Sequence, residues 1–100
     1  MFVSIVIPTF NRKPILEKCL VALENQVLDS PVDGYEVIVV DDGSTDRTPA
    51  WIRSQQARFP HVRLFEQEHG GPAQGRNLGV SHAIGEELKY LCKTQKGELY

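Results

Sequence analysis

The segment Phe2-Val3-Ser4-Ile5-Val6-Ile7 is apolar at every position but one. A short apolar run rich in β-branched side chains predicts a strand covered on both faces, with Pro8 and Thr9 expected to end it. The period then changes. Ile15, Leu16, Cys19, Leu20, Ala22 and Leu23 recur at helical spacing, which predicts a helix over about residues 12–25. Asn11 is its expected N-cap, and Pro14 is tolerable in the first turn. Residues 28–34, with Asp29, Ser30, Pro31 and Gly34, read as a loop.

Tyr35 to Val40 carries the run Val37-Ile38-Val39-Val40 and predicts a second buried strand, after which Asp41-Asp42-Gly43-Ser44 turns the chain. A second helix is expected from near Asp46 through Trp51, Ile52, Gln55 and Phe59, with Pro49 in its first turn and Pro60 as its stop. Val62 to Glu66 alternates apolar and polar side chains, the mark of a more peripheral strand. Gly70-Gly71-Pro72 opens a third helix, expected over about 72–84 and ended by Gly85.

Strand and helix alternating three times predict the α/β class: a three-layer α/β/α parallel sheet of Rossmann-like architecture. Such sheets bind ligands at the carboxyl ends of their strands. Three segments fall there: Pro8-Thr9-Phe10-Asn11, Asp41-Asp42-Gly43-Ser44, and the loop of His69 to Pro72. The chemically unusual residues therefore meet on one rim.

Composition narrows the function. With 100 residues, 41% hydrophobic and 24% charged, the chain is one ordinary globular domain. A formal net charge of −2 provides no positive field for a polyanion, which argues against nucleic acid as a partner. Cys19 and Cys92 form no C-x-x-C pair and read as buried spacers in a reducing compartment. The three histidines include no H-E-x-x-H spacing; His69 alone lies beside other unusual residues, whereas His61 and His82 read as surface or packing positions. The apolar opening, stopped by Pro8 and lacking a basic leader, is too short for a signal peptide or a transmembrane segment. The expectation is a soluble, cytoplasmic chain.

Asp41 and Asp42 follow four aliphatic residues. On continued strand geometry their side chains point to opposite faces and cannot chelate one ion together. Each is either a turn residue accepting N–H bonds from Gly43 and Ser44, or an acceptor for a donor on a base or ribose. Arg76 is either a solvated arginine or, near the start of a helix, a diphosphate ligand. Asn11 is a cap or a ligand contact. Gly75 and Gly79 weaken their helix, which suggests a close approach there. No Walker loop, G-x-G-x-x-G, Ser-His-Asp or Cys-His set is present, so no catalytic residue and no metal ligand is assigned.

The segments Ser4-Ile5-Val6-Ile7-Pro8-Thr9-Phe10-Asn11-Arg12, Val37-Ile38-Val39-Val40-Asp41-Asp42-Gly43-Ser44-Thr45-Asp46, and Gly70-Gly71-Pro72-Ala73 with Gly75-Arg76-Asn77-Leu78-Gly79, in this order, closely resemble the N-terminal nucleotide-sugar-binding half of family-2 glycosyltransferases of the GT-A fold. The resemblance covers residue 2 to roughly residue 86. It implies inverting transfer of a sugar from a nucleotide diphosphate sugar, UDP-linked, to an acceptor. Carried over by position, Pro8 and Thr9 line the base pocket, Asp42 accepts from the base, and Asp41 supports the loop or the ribose. Arg76 approaches the base or diphosphate with Asn77 packed behind it, and Asn11 is a further contact.

The pattern then departs from the family. Residues 1–86 form the expected nucleotide-sugar-binding unit, and residues 87–100 a fourth strand or a tail. Intact relatives hold Mg²⁺ or Mn²⁺ through an Asp-x-Asp motif after the fourth strand. Cys92-Lys93-Thr94 stands in that place here and brings no carboxylate to bind a hard cation. No metal cofactor is therefore expected in this chain, nor the general base, which follows residue 100 in relatives. The expected outcome is weak, nearly metal-independent nucleotide-sugar binding, little transferase activity, and association as a homo-oligomer or with a missing partner half. A non-catalytic nucleotide-binding or oligomerisation module of the same fold is the alternative. A phosphoacceptor receiver domain is disfavoured, because its acidic pair follows the first strand, where Pro8-Thr9 stands here.

Overall fold

In a computed structural model, residues 2–25, 34–85 and 87–90 are described. The first apolar run forms β1 (Phe2–Thr9), followed by α1 (Lys13–Asn25), β2 (Gly34–Asp41), α2 (Thr48–Ser54), β3 (Val62–Glu66), α3 (Pro72–His82) and β4 (Glu87–Tyr90). All pairs are parallel and the strand order is β3-β2-β1-β4. From β1 the chain steps outward to β3, then crosses back over the sheet to β4. Crossovers of one hand running in opposite directions put their helices on opposite faces.

The packing follows this topology. Val3, Ile5, Ile7, Val37, Val39 and Val62 form one core with Leu16, Cys19 and Leu20 of α1 and Ile52 of α2. Val6, Ile38 and Val40 form a smaller core with Phe65, Leu78 and Ala83 on the α3 side. Along β2 the even positions thus face α3 and the odd ones face α1 and α2, the period-two alternation of a strand. The order reverses beside β1, which places the carboxyl ends of β1 and β2 at the switch point of the sheet.

Several boundaries differ from the sequence expectation, each for a local reason. β1 runs through Pro8 and Thr9, which pair with Val40 and Asp41. Among the described residues β4 pairs with Val3–Val6, short of Pro8. Gly34 opens β2 rather than closing a loop, and residues 28–33 of that expected loop lie outside the described residues.

Helix α2 is shorter than expected. Gln55 and Phe59 lie beyond it, because Ser54 Oγ donates to the Trp51 carbonyl at 2.6 Å and Gln56 Nε2 donates to the carbonyls of Phe59 and Val62. Those bonds turn the chain directly into β3. Helix α3 ends at His82 and not at Gly85. Glu36 Oε2 takes the Ile84 N–H at 2.8 Å and Ser4 Oγ takes the Gly85 N–H at 2.8 Å, pulling the chain off the helix. Gly85 serves this close approach: a Cβ there would stand 2.6 Å from Ser4 N and 2.8 Å from Phe2 O. Gly79 has the same use, since its Cβ would collide with Val6.

Candidate functional site

At the carboxyl ends of β1, β2 and β3 the three loops are tied to one another. Asp42 N–H donates to the Thr9 carbonyl at 2.9 Å, and Gln67 N–H to the Asp41 carbonyl at 2.9 Å. Asn11 lies one residue before the N-cap position of α1, with φ 50°, and its side chain does not cap that helix. Its Oδ1 instead accepts from Thr45 N–H at 2.7 Å and Asp46 N–H at 3.2 Å, while its own N–H donates to Ser44 Oγ at 2.9 Å. Capping falls to Asp46. Its carboxylate accepts from Lys13 N–H in α1, and from Thr48 N–H and Thr48 Oγ1 in α2. Burial acts upward on the Asp46 carboxyl, but the bonds from Thr48 and Lys13 outweigh it and hold it below its usual range.

The two adjacent aspartates point to opposite faces, as the strand period predicts. Asp41, only 1% exposed, turns toward α1 and α2, and its Oδ2 accepts from Ser44 N–H at 2.9 Å. Its Oδ1 is buried without a hydrogen-bond partner. Asp42, 4% exposed, turns toward α3. Its Oδ1 accepts from Gln67 Nε2 and Gly70 N–H, both at 2.7 Å. Its Oδ2 accepts from Gly71 N–H at 3.0 Å and lies 3.1 Å from His69 Nδ1. That nitrogen is also 3.3 Å from the Asp42 carbonyl; facing two acceptors, it carries the proton. Burial acts upward on the Asp42 carboxyl, yet Gly70, Gln67, Gly71 and the His69 charge together hold it below its ordinary range.

The remaining expected residues divide between the two faces of the sheet. Pro8 is half-buried on the α3 face, 3.3 Å from where a Cβ on Gly75 would stand. Thr9 is buried on the opposite face beside its register partner Asp41. Arg76 lies half-buried in the second turn of α3. Asn77, expected to pack behind it, is exposed. Pro8, Thr9, Asn11, Asp41 and Asp42 thus meet where β1 and β2 end, while Arg76 is placed only by its position in α3.

Three participants are absent from that set. Gln67 and His69 bind Asp42 directly, and Phe10, 39% exposed, packs its ring against His69 at a centroid distance of 4.7 Å. An exposed aromatic immediately after a strand was the available signal for Phe10; Gln67 gave none. The other two histidines pack on aromatic rings, His61 on Tyr35 and His82 on Phe65.

The rim does not suit a divalent cation. Its two carboxylates diverge, and both oxygens of Asp42 are already hydrogen-bonded. Among the described residues no group of three or more His, Cys, Asp or Glu could hold a metal ion, and Cys92-Lys93-Thr94 lies outside them. Among the described residues no helix is long and apolar enough to cross a membrane.

The model of the family described as "Glycosyl transferase family 2" matches residues 4–92. The poly(ribitol-phosphate) beta-glucosyltransferase of Bacillus spizizenii is 34% identical over 93 residues, which is 91% of this chain and 14% of that protein. The glycosyltransferase AglE of Haloferax volcanii is 36% identical over 91 residues, 90% of this chain and 29% of its own length. Among solved structures, the mannosyltransferase PcManGT from Pyrobaculum calidifontis, in complex with GDP-Man and Mn²⁺, superposes with a TM-score of 0.75 and 37% identity, covering 86% of this chain and 25% of that one. TarS 1-349 of S. aureus, in complex with UDP-GlcNAc, gives 0.77 and 31% identity over 92% of this chain and 26% of that one. The chain therefore spans less than a third of each of these proteins. The family model spans most of the chain and its fold superposes on solved transferases: this chain belongs to glycosyl transferase family 2.

Proposed function

We propose that the chain binds the donor of a glycosyl transfer, a uridine diphosphate sugar, at the rim around Asp42, for transfer with inversion at the sugar carbon. The observation that carries this reading is Asp42 itself: a buried carboxylate at the switch point of the sheet, where the β1–α1 and β3–α3 loops meet. TarS, solved with UDP-GlcNAc, supports the choice of donor. In this reading Asp42 accepts the imide N–H of the base, Phe10 offers its exposed face for stacking, and the Pro8-Thr9 backbone forms the pocket wall. Arg76 and the start of α3 neutralise the diphosphate. Asn11 and Asp41 hold the β2–α2 loop in place through Thr45, Asp46 and Ser44.

The donor atoms at the rim do not fit a divalent cation, because both oxygens of Asp42 are hydrogen-bonded and Asp41 faces the other way. Cys92-Lys93-Thr94, standing where the family carries Asp-x-Asp, favours a second reading: a module that binds the nucleotide without turning it over. Calorimetry with UDP, UDP-sugars and GDP, with and without Mn²⁺, tests both. UDP is expected to bind weakly, with its affinity changed less than about two-fold by Mn²⁺, and Asp42→Ala to abolish binding. Absence of any nucleotide binding removes the reading, and strictly Mn²⁺-dependent binding removes its metal-independent part. Turnover of a UDP-sugar by the chain removes the second reading.

A further inference from the structure

A carboxylate offers about four lone-pair positions, and all four of Asp42 are in use: Gln67 and Gly70 on Oδ1, Gly71 and His69 on Oδ2. A base can reach this carboxylate only by replacing one of those donors. Gly70 and Gly71 give backbone N–H groups that set the start of α3, and Gln67 is half-buried on the α3 face. His69 is different: its side chain is 68% exposed, and it can swing into solvent without moving the backbone. Its ring also packs against the Phe10 ring, 4.7 Å between centroids and tilted by 45°, the ring that the reading above gives to the base. A flat heteroaromatic ring packed on Phe10 and donating one ring N–H to Asp42 is what a bound uracil would present.

We propose that His69 is a resident stand-in for the nucleobase, occupying its stacking surface and its hydrogen-bond acceptor until ligand displaces it. This rests on the assignment of the base to Asp42. Two consequences distinguish it from a purely structural contact. The site is self-occupied, so apparent affinity is reduced by the fraction of molecules in which His69 is seated. Displacement vacates one acceptor position, which suits a base with a single imide N–H, whereas the paired N–H groups of guanine call for two.

The test compares UDP binding by calorimetry for the unaltered chain, His69→Ala and Asp42→Asn, with the ring contact followed by NMR. His69→Ala is expected to bind UDP about three- to ten-fold more tightly, the gain from removing one competing hydrogen bond. In the unaltered chain, saturating UDP is expected to abolish the Phe10–His69 ring cross-peaks. If UDP binds in an Asp42-dependent way but His69→Ala leaves affinity unchanged or weaker, or the cross-peaks persist at saturation, the stand-in role is overturned and the base assignment survives. If UDP binds none of the proteins, or Asp42→Asn binds as well as the unaltered chain, the base assignment itself fails.

Discussion

β2 and the residue that follows it turn two buried carboxylates toward α3, Glu36 at one end of that helix and Asp42 at the other, with Ile38 and Val40 between them. Asp42 holds the start of α3 through Gly70 and Gly71, and Glu36 holds the chain leaving it through Ile84. Their electrical settings are opposite. An anion at a helix start is favoured by the helix dipole; one beside a helix end is not. Glu36 therefore stands with a cation. Arg63 donates to its Oε1 at 2.6 Å and also to the His82 carbonyl in the last turn, and Ser4 Oγ donates to Oε2 at 2.6 Å. Its partners come from the sheet and the backbone. Only at Asp42 is one partner a mostly exposed side chain. The comparison separates a clamp that holds the fold from a clamp that can also exchange with ligand.

The largest expected effect tests that separation. Asp42→Ala strands Gln67 and two N–H groups at the start of α3, and should cost about 3 kcal/mol. Glu36→Ala should cost about 2 kcal/mol, because its Arg63 partner is 43% exposed and can be rehydrated. Urea unfolding read at Trp51 measures both. UDP binding per folded molecule should vanish in Asp42→Ala and stay within about two-fold in Glu36→Ala. Equal loss of binding in the two variants would erase the distinction between the clamps.

Acid should release both clamps. Burial acts upward on Glu36, but the bonds from Ile84, Ser4 and Arg63 and the Arg63 charge outweigh it, leaving its carboxyl below the usual range, as at Asp42. A carboxyl depressed on folding contributes its full stability above its unfolded value, about 4. That contribution is lost as pH falls through the lowered folded value. Unfolding free energy is therefore expected to be flat between about pH 7 and 5, and to fall below about pH 4 by up to about 1.4 kcal/mol per pH unit for each carboxyl. Glu36→Gln combined with Asp42→Asn should flatten that decline. An unchanged slope in the double variant would assign the acid sensitivity elsewhere, with Asp46 the next group to replace.

Much of this arrangement was legible because it is periodic. Four apolar positions before Asp41-Asp42 imply a strand, and a period of two sends the aspartates apart; both hold in the structure. Glu36 lay inside the expected strand Tyr35 to Val40, on the even face it shares with Asp42, but its partners Ser4, Arg63 and Ile84 are all distant in sequence. The capping of α1 was out of reach: Asp46 lies 33 positions from Lys13, and Asn11 bonds across a similar gap to Thr45. Such partners are set by which loops the topology brings together, not by local pattern. Helix α2 was overestimated because Ser54 and Gln56 bond to backbone carbonyls, a competition that apolar spacing does not register. His69 stood out only by position; its orientation depends on Phe10 and Asp42, both distant in sequence.

The smallest expected effect concerns Asp41, adjacent to Asp42 and equally buried but differently used. Asp41→Asn keeps an oxygen for Ser44 N–H, and places an amide where Oδ1 now has no partner. One partnerless polar atom replaces another, but a neutral amide is cheaper to bury than a carboxylate. Stability should change by less than about 1 kcal/mol, in either direction. In Asp42→Asn, by contrast, one end of the side chain becomes a donor facing N–H groups that are themselves donors. No rotation of the amide avoids that conflict, because both oxygens of Asp42 accept from backbone. Urea midpoints of the two single variants compare the neighbours directly: near-equal losses would mean that the β2–α2 loop depends on the Asp41 charge and not merely on its acceptor.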